Sequence, residues 1–127
     1  MIALFTGFHM THTQLIRFVK KQLEDNKASN IVELDVRSLS DCMDMMIIAT
    51  GTSTRHVQSI GKKLVTAVRE AGVMPLGVEG ETGGEWVLID LGDLVIHVML
   101  QSQRDLYQLE KLWMVTEAFK KSAKKAK

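Results

Sequence analysis

The sequence has little cysteine and no long hydrophobic run, and each absence narrows what the chain can be. Cys42 is the single cysteine among 127 residues, which excludes an intramolecular disulfide and a zinc site built from several cysteines. The longest apolar runs, at 45–49 and 94–100, fall far short of the roughly 20 residues that a membrane-spanning helix needs. One thiol and eight methionines suit a reducing compartment, so we expect a cytoplasmic protein without a membrane partner.

The two ends of the chain differ from the rest in composition. Residues 1–12 begin with apolar side chains but lack the features of a signal peptide, and a start at either Met1 or Met10 is open. The tail 120–127 holds five lysines and no acid, which leaves 11 basic and 15 acidic side chains elsewhere. Such a tail is usually a solvated terminus, although its charge would also attract nucleic acid. We expect an unstructured extension at 1–12, one domain at 13–119 and this basic tail.

Hydrophobic periodicity predicts the element order α-β-β-α-β-β-β-α. Interleaved helices and strands with one hairpin predict an α/β fold with a mixed β-sheet and flanking helices, which cover one face more fully. The strand at 73–80 contains Pro75, which has no N–H for a ladder, so we place it at the sheet edge or expect it to be irregular. The predicted elements are helices at 13–26, 52–72 and 102 to about 119, strands at 31–36, 44–51 and 73–80, and a hairpin within 84–99.

Capping residues set the predicted helix ends. Thr11 or Thr13 can begin the first helix, and Gly72 can end the second. Ser102 precedes Asp105 by three positions, which resembles a capping box at the start of the last helix. The apolar side chains of that helix predicted to face inwards are Leu106, Leu109, Leu112 and Trp113.

The turn GTSTRH at 51–56 is a candidate anion site. It follows a buried strand and opens a helix, where free N–H groups can hold a phosphate. It lacks the further glycines and the lysine of a nucleotide-binding loop. We therefore favour a turn glycine followed by Ser53 or Thr52 as the N-cap.

A pair of carboxylates and one thiol are the other candidates for chemistry. Glu33 and Asp35 stand two residues apart on one strand, a spacing that a metal-dependent phosphotransferase can use. No third ligand is evident, and the solvent side of an alternating strand explains both acids. A lone cysteine such as Cys42 is more typical of a small buried side chain than of a nucleophile.

The sequence of the hairpin at 83–99 is compatible with two alternative loops. A two-residue loop at Leu91 and Gly92 would pair Trp86 with His97. This loop requires a positive φ at Leu91, which is unfavourable for leucine. A three-residue loop that also includes Asp90 avoids this and would pair Trp86 with Ile96. In both registers we expect the acids on either side of the turn, Asp90 and Asp93, to accept its hydrogen bonds.

Strand alternation in the hairpin separates two sets of side chains. If Val87 and Ile89 face the helices, Trp86 and Leu88 lie on the less covered side. Periodicity alone leaves Trp86 either in the core or in an exposed binding patch, where aromatic residues dominate affinity.

The motifs together resemble those of the ribosomal silencing factor family, RsfS or Iojap, from about residue 13 to residue 113. One departure is DCMDMM at 41–46, where many relatives carry an aromatic residue after the aspartate. The motifs are LDV (34–36), IIATGTSTRHV (47–57), AGV (71–73), GVEGE (77–81), GEWVLIDLGDLVIHVM (84–99) and RDLYQLEKLW (104–113).

The resemblance implies a nucleotidyltransferase-like sheet without known catalysis, and we expect no catalytic residue, metal or cofactor. Members of the RsfS family bind the large ribosomal subunit through protein fourteen of that subunit, on the surface that meets the small subunit, so the resemblance implies the same for this chain. They thereby block subunit association and repress translation when nutrients are scarce. The lysine tail could contact rRNA, and a homodimer off the ribosome is open.

Carried over by position, the resemblance implies a partner-binding surface on the hairpin and on the helix that follows it. The alternative is a metal-dependent enzyme that handles nucleotides with the GTSTRH turn, Glu33 and Asp35. The implied partner-binding residues are Trp86, Leu88, Asp90, Leu91, Asp93, His97, Arg104 and Tyr107.

Overall fold

The computed structural model describes residues 10–37 and 44–107, except for the side chain of Tyr107. Within them the order is α-β-β-α-β-β-β-α, as predicted. The elements are α1 (His12–Asp25), β1 (Ser29–Asp35), β2 (Met45–Gly51), α2 (Thr54–Glu70), β3 (Gly77–Glu79), β4 (Trp86–Asp90), β5 (Leu94–Leu100) and α3 (Gln101–Tyr107).

Several predictions of the sequence concern residues outside these ranges. They are the structure of residues 1–9, the burial of Cys42, the continuation of the last helix to about residue 119 with Leu109, Leu112 and Trp113, and the state of the lysine tail 120–127.

The five described strands form one mixed sheet in the order β1-β2-β5-β4-β3. The central strands β2 and β5 are parallel, and the other neighbours are antiparallel. β3 has three residues and pairs with β4 at the sheet edge, after Pro75, which confirms the prediction of an edge strand.

Side-chain caps begin both long helices. The Thr11 hydroxyl accepts from the Gln14 N–H at 3.1 Å, and the Gln14 side chain accepts from the Thr11 N–H at 2.9 Å. Ser53 caps α2 by accepting from the N–H of His56 at 3.1 Å. Gly72, just past the end of α2, has φ +91°. The caps are therefore Thr11 and Ser53, each one of the two candidates in the sequence.

The main core lies between one face of the sheet and the helices α1 and α2. Its buried aliphatic side chains each contribute about 1.5–3 kcal/mol relative to an exposed position. A smaller cluster lies on the second face, where Leu34 and Trp86 pack half-buried against Val36, Met46, Ile48 and Met99. The buried residues of the main core are Val19, Leu23, Ile47, Ala49, Val57, Ile60, Leu64, Val65, Val68, Val87, Ile89, Leu94, Ile96 and Val98.

The start of α3 differs from the prediction. The helix begins at Gln101, directly after β5, so Ser102 lies inside it and is not the N-cap. Leu106 is 70% exposed and does not face inwards. Arg104, at 6% exposure, takes the inward position, and Leu106 lies about 200° further around the helix.

The loop before β4 depends on Gly80. Its φ is +85°, and a Cβ atom here would lie 1.9 Å from the carbonyl oxygen of Trp86. We expect Gly80→Ala to lower the free energy of unfolding by about 2 kcal/mol or more. Gly83→Ala is the matched control because nothing lies within 4 Å of its Cβ position. Chemical denaturation should place this control within about 1 kcal/mol of the wild type, and equal losses in both variants would contradict the prediction.

Candidate functional site

The hairpin closes with a two-residue loop, Gly92 and Asp93, because Leu91, which follows β4, pairs with Leu94 at the start of β5. Trp86 pairs with Met99 and Leu88 with His97, and the N–H of Leu91 donates to the carbonyl of Leu94 at 2.9 Å. Both predicted loops were therefore wrong, as were the pairings of Trp86 that followed from them.

The observed loop needs positive φ only at its glycine. Gly92 has φ +96°, and the described non-glycine residues with positive φ are Lys27 and Asn30. A glycine at the first loop position is what one of the two favoured hairpin turns requires. Leu91 can therefore stay in the ladder.

Asp90, before the turn, and Asp93, within it, act differently. Oδ1 of Asp90 accepts from the N–H of Gly92 at 2.8 Å, as predicted for a turn-shaping residue. Asp93 contributes its backbone carbonyl, which accepts from the N–H groups of Asp44 at 2.8 Å and Met45 at 3.0 Å. The turn is thereby tied to the start of the central strand, while the side chain of Asp93 is exposed.

Trp86 and His97 lie on the second face of the sheet and contact each other. The indole Nε1–H donates to Nδ1 of His97 at 2.9 Å, and the ring centroids are 5.8 Å apart. Because Nδ1 accepts, the proton of the neutral imidazole is on Nε2. His97 is 7% exposed, and this burial lowers its pKa to about 4. His97 therefore holds Trp86 in position as a neutral acceptor.

The hairpin separates its apolar candidates onto two faces. Val87 and Ile89 are buried under the helices, so Trp86 and Leu88 lie half-buried on the other face, as the alternation predicted. Leu91 is half-buried against the main core. Trp86, the first residue of β4, and Leu91, which directly follows β4, are five positions apart, about 17 Å in extended chain. A partner that contacts both must follow the length of the hairpin.

Arg104 has an internal role. Its guanidinium donates to the hydroxyl of Thr50 at 2.8 Å and to the backbone carbonyl of Asn30, which ties α3 to β1 and β2. Helical spacing, which assigned the inward positions of this helix to apolar side chains, did not indicate the buried cation. The side chain of Tyr107, the other candidate in α3, lies outside the described residues.

In the GTSTRH turn, Thr52, Ser53 and His56 form internal hydrogen bonds, whereas Arg55 is exposed. Besides the Ser53 cap, the N–H of Thr52 donates to Nδ1 of His56 at 2.9 Å. Nε2 of His56 therefore carries the proton and donates to the carbonyl of Asn26 at 2.8 Å. These bonds join the start of α2 to the end of α1, which agrees with the turn and N-cap interpretation.

Glu33 and Asp35 are each paired with a cation. Lys20 of α1 lies 3.2 Å from Glu33. Asp35 accepts from Nε of Arg37 at 3.0 Å, and this guanidinium lowers the pKa of the carboxyl.

Among residues 10–37 and 44–107, no group of three or more His, Cys, Asp or Glu side chains could hold a metal ion. In the same ranges, every helix is too short or too polar to cross a bilayer.

Comparison with known proteins gives concordant matches. The family model RsfS, described as ribosomal silencing factor during starvation, matches residues 9–127. The ribosomal silencing factor RsfS of Haemophilus influenzae is 41% identical over 99 residues, which are 78% of this chain and 97% of that protein. A mouse protein named mitochondrial assembly of ribosomal large subunit protein 1 is 33% identical over 72% of this chain and 41% of its own length. A crystal structure from Chromobacterium violaceum, 42% identical, aligns with a TM-score of 0.80 over 82% of this chain and 87% of that chain.

The low pKa of His97 makes stability depend on pH. Between its ordinary pKa of 6.5 and about 4, the unfolded chain binds the proton more readily than the folded chain. The stability contributed by neutral His97 is complete above pH 6.5, and about 3 kcal/mol is lost as the pH falls towards 4.

We expect the difference in unfolding free energy between wild type and His97→Gln to change in the same range, in favour of the variant at low pH. Carboxylates titrate in both proteins, so this difference isolates His97. The measurement is urea denaturation at several pH values, together with NMR titration of the imidazole. A constant difference from pH 7 to 4 would show that His97 is not held neutral.

Proposed function

This chain belongs to the RsfS family of ribosomal silencing factors, and from that membership we propose that it binds the large ribosomal subunit and represses translation when nutrients are scarce. Its partner is protein fourteen of that subunit, and its site of action is the cytoplasm. The name of the mouse relative, which refers to assembly of the ribosomal large subunit, supports the choice of subunit.

The observation that carries this proposal is the placement of Trp86. It is half-buried on the second face, and its indole is fixed by the hydrogen bond to the buried His97. A large aromatic side chain that is already ordered loses little conformational entropy on binding. Trp86, with Leu88 beside it on the same face, is therefore the central anchor of the proposed surface.

Charge supports a basic protein as the partner. Residues 73–100 contain five acidic side chains and no lysine or arginine. Asp90 and Asp93 stand at the turn between the anchor strand and β5. Complementary charge raises the rate of encounter and sets orientation more than it adds affinity. The acids thus orient the protein, while the apolar side chains supply most of the binding energy.

The action that we propose is steric. An interface of standard size covers about 800 Å² on each partner, which corresponds to a patch roughly 30 Å across. Trp86 and Leu91 are about 17 Å apart along the hairpin, so one partner of this size that extends from one face around the turn can contact both. A protein bound in this way on the surface that meets the small subunit prevents subunit association.

This function involves no catalytic residue, metal or cofactor. The alternative enzyme would need the carboxylates of Glu33 and Asp35 to converge on a metal, whereas each is paired with its own cation. The lysine tail 120–127 would add a contact with rRNA that weakens as salt is raised.

Trp86→Ala tests the anchor. We expect binding to purified large subunits to weaken by about 30-fold or more, since loss of a central aromatic costs about 2 kcal/mol or more. Leu34→Ala is the matched control because Leu34 packs half-buried in the same cluster from the opposite edge of the sheet. Co-sedimentation with large and small subunits, with melting temperatures for both variants, gives the comparison.

The proposal fails if Trp86→Ala binds large subunits as the wild type does. It is incomplete if the wild type shows metal-dependent nucleotide turnover that is lost in Asp35→Asn.

Subunit association tests the steric action. Added to equal amounts of large and small subunits, the wild type should lower the light scattering from joined ribosomes, because it covers the contact surface. Trp86→Ala should leave the scattering unchanged at the same concentration. Wild-type protein that binds the large subunit without lowering the scattering would contradict a steric block.

A further inference from the structure

An exposed apolar pair lies in the segment between α2 and β3. Three large hydrophobic side chains in the described ranges are strongly exposed: Met74 at 71%, Leu76 at 74% and Leu106 at 70%. Two of them therefore fall within three consecutive residues. Single exposed hydrophobic residues are ordinary, whereas clusters on a soluble protein mark sites of interaction.

The backbone holds this segment in place. The N–H of Val73 donates to the carbonyl of Val68 at 2.8 Å, and Val73 packs against the main core. The N–H of Leu76 donates to the carbonyl of Asp90 at 2.7 Å. Because backbone hydrogen bonds fix both ends of this segment, Met74 and Leu76 are exposed on an ordered backbone.

Leu76 brings this pair to the hairpin turn. Cδ1 of Leu76 lies 3.7 Å from the point that a Cβ atom on Gly92 would occupy. Leu91, the neighbour of Gly92, is half-buried. We call Met74, Leu76 and Leu91 the edge patch. It lies at the turn end of β4, whereas Trp86 lies at the other end.

The charge around the edge patch selects its partner. Asp90 ends β4 and Asp93 lies in the turn, and no lysine or arginine occurs from residue 73 to residue 100. These carboxylates favour a basic partner over nucleic acid. A basic protein with an apolar recess is complementary in both respects.

We propose that the edge patch is the second anchor of the docking surface, with Met74 and Leu76 entering an apolar recess on the same basic ribosomal protein that covers Trp86. This inference rests on the proposed function, because it concerns the same partner. It also accounts for Leu91, which faces away from Trp86 and is reached only by a partner that extends around the turn of the hairpin.

The test compares two exposed apolar sites. The double variant Met74→Ser/Leu76→Ser should bind purified large subunits at least tenfold more weakly than the wild type in a titration of labelled protein. Leu106→Ser is the matched control, because its side chain has the same exposure but lies on α3. It should bind within twofold of the wild type. Both variants should keep the wild-type melting temperature, since the replaced side chains are largely solvated.

Four other results would overturn the inference, and they can be told apart. If the double variant binds normally while Trp86→Ala does not, the edge patch is wrong and the proposed function stands. If the wild type does not bind large subunits, both are wrong. Equal weakening by Leu106→Ser would indicate non-specific apolar contact. A double variant that binds normally but turns a dimer into a monomer in sedimentation would assign the patch to a second copy of this chain.

Discussion

The parallel pairing of β2 with β5 holds the other parts of the structure in place. Its register runs without interruption from Met45 opposite Leu94 to Gly51 opposite Leu100. At one end the two strands lead into α2 and α3, and at the other the carbonyl of Asp93 binds the start of β2. The hairpin is thus attached to the centre of the sheet along β5 and again at its turn, which makes it a rigid support for exposed side chains.

The proposed docking surface combines features from both faces of this sheet. Trp86 is held on one face by a buried histidine, and the edge patch lies where the hairpin turns and the segment before β3 meets it. Residues 73–100, which carry these features, contain five acidic side chains and no lysine or arginine. In the proposed complex, affinity and orientation would be supplied by different groups, the first by fixed apolar side chains and the second by carboxylates.

The sequence predicted features that depend on local chemistry. Proline at position 75 indicated an edge strand, Ser53 was a candidate cap, and alternation placed Val87 and Ile89 under the helices. Features set by tertiary contacts were missed. The hairpin register depends on which residues enter the loop, and alternation fits several choices. Leu106 faces solvent because Arg104 occupies the inward position. The resemblance identified the family, but it implied one partner-facing side of the hairpin for both Trp86 and Leu91, whereas they lie on different faces, as strand alternation requires.

The hydrogen bond from Trp86 to His97 also affects what a partner must provide. An indole N–H that becomes buried without an acceptor costs about 1–3 kcal/mol. Here the donor is paired within the protein, so a surface that covers the ring needs no acceptor opposite it. If the proposed function is correct, the part of the ribosome opposite Trp86 needs to be apolar and complementary in shape, but it needs no polar group at a set position. The internal pairing would then make recognition at Trp86 tolerant of sequence change in the proposed partner.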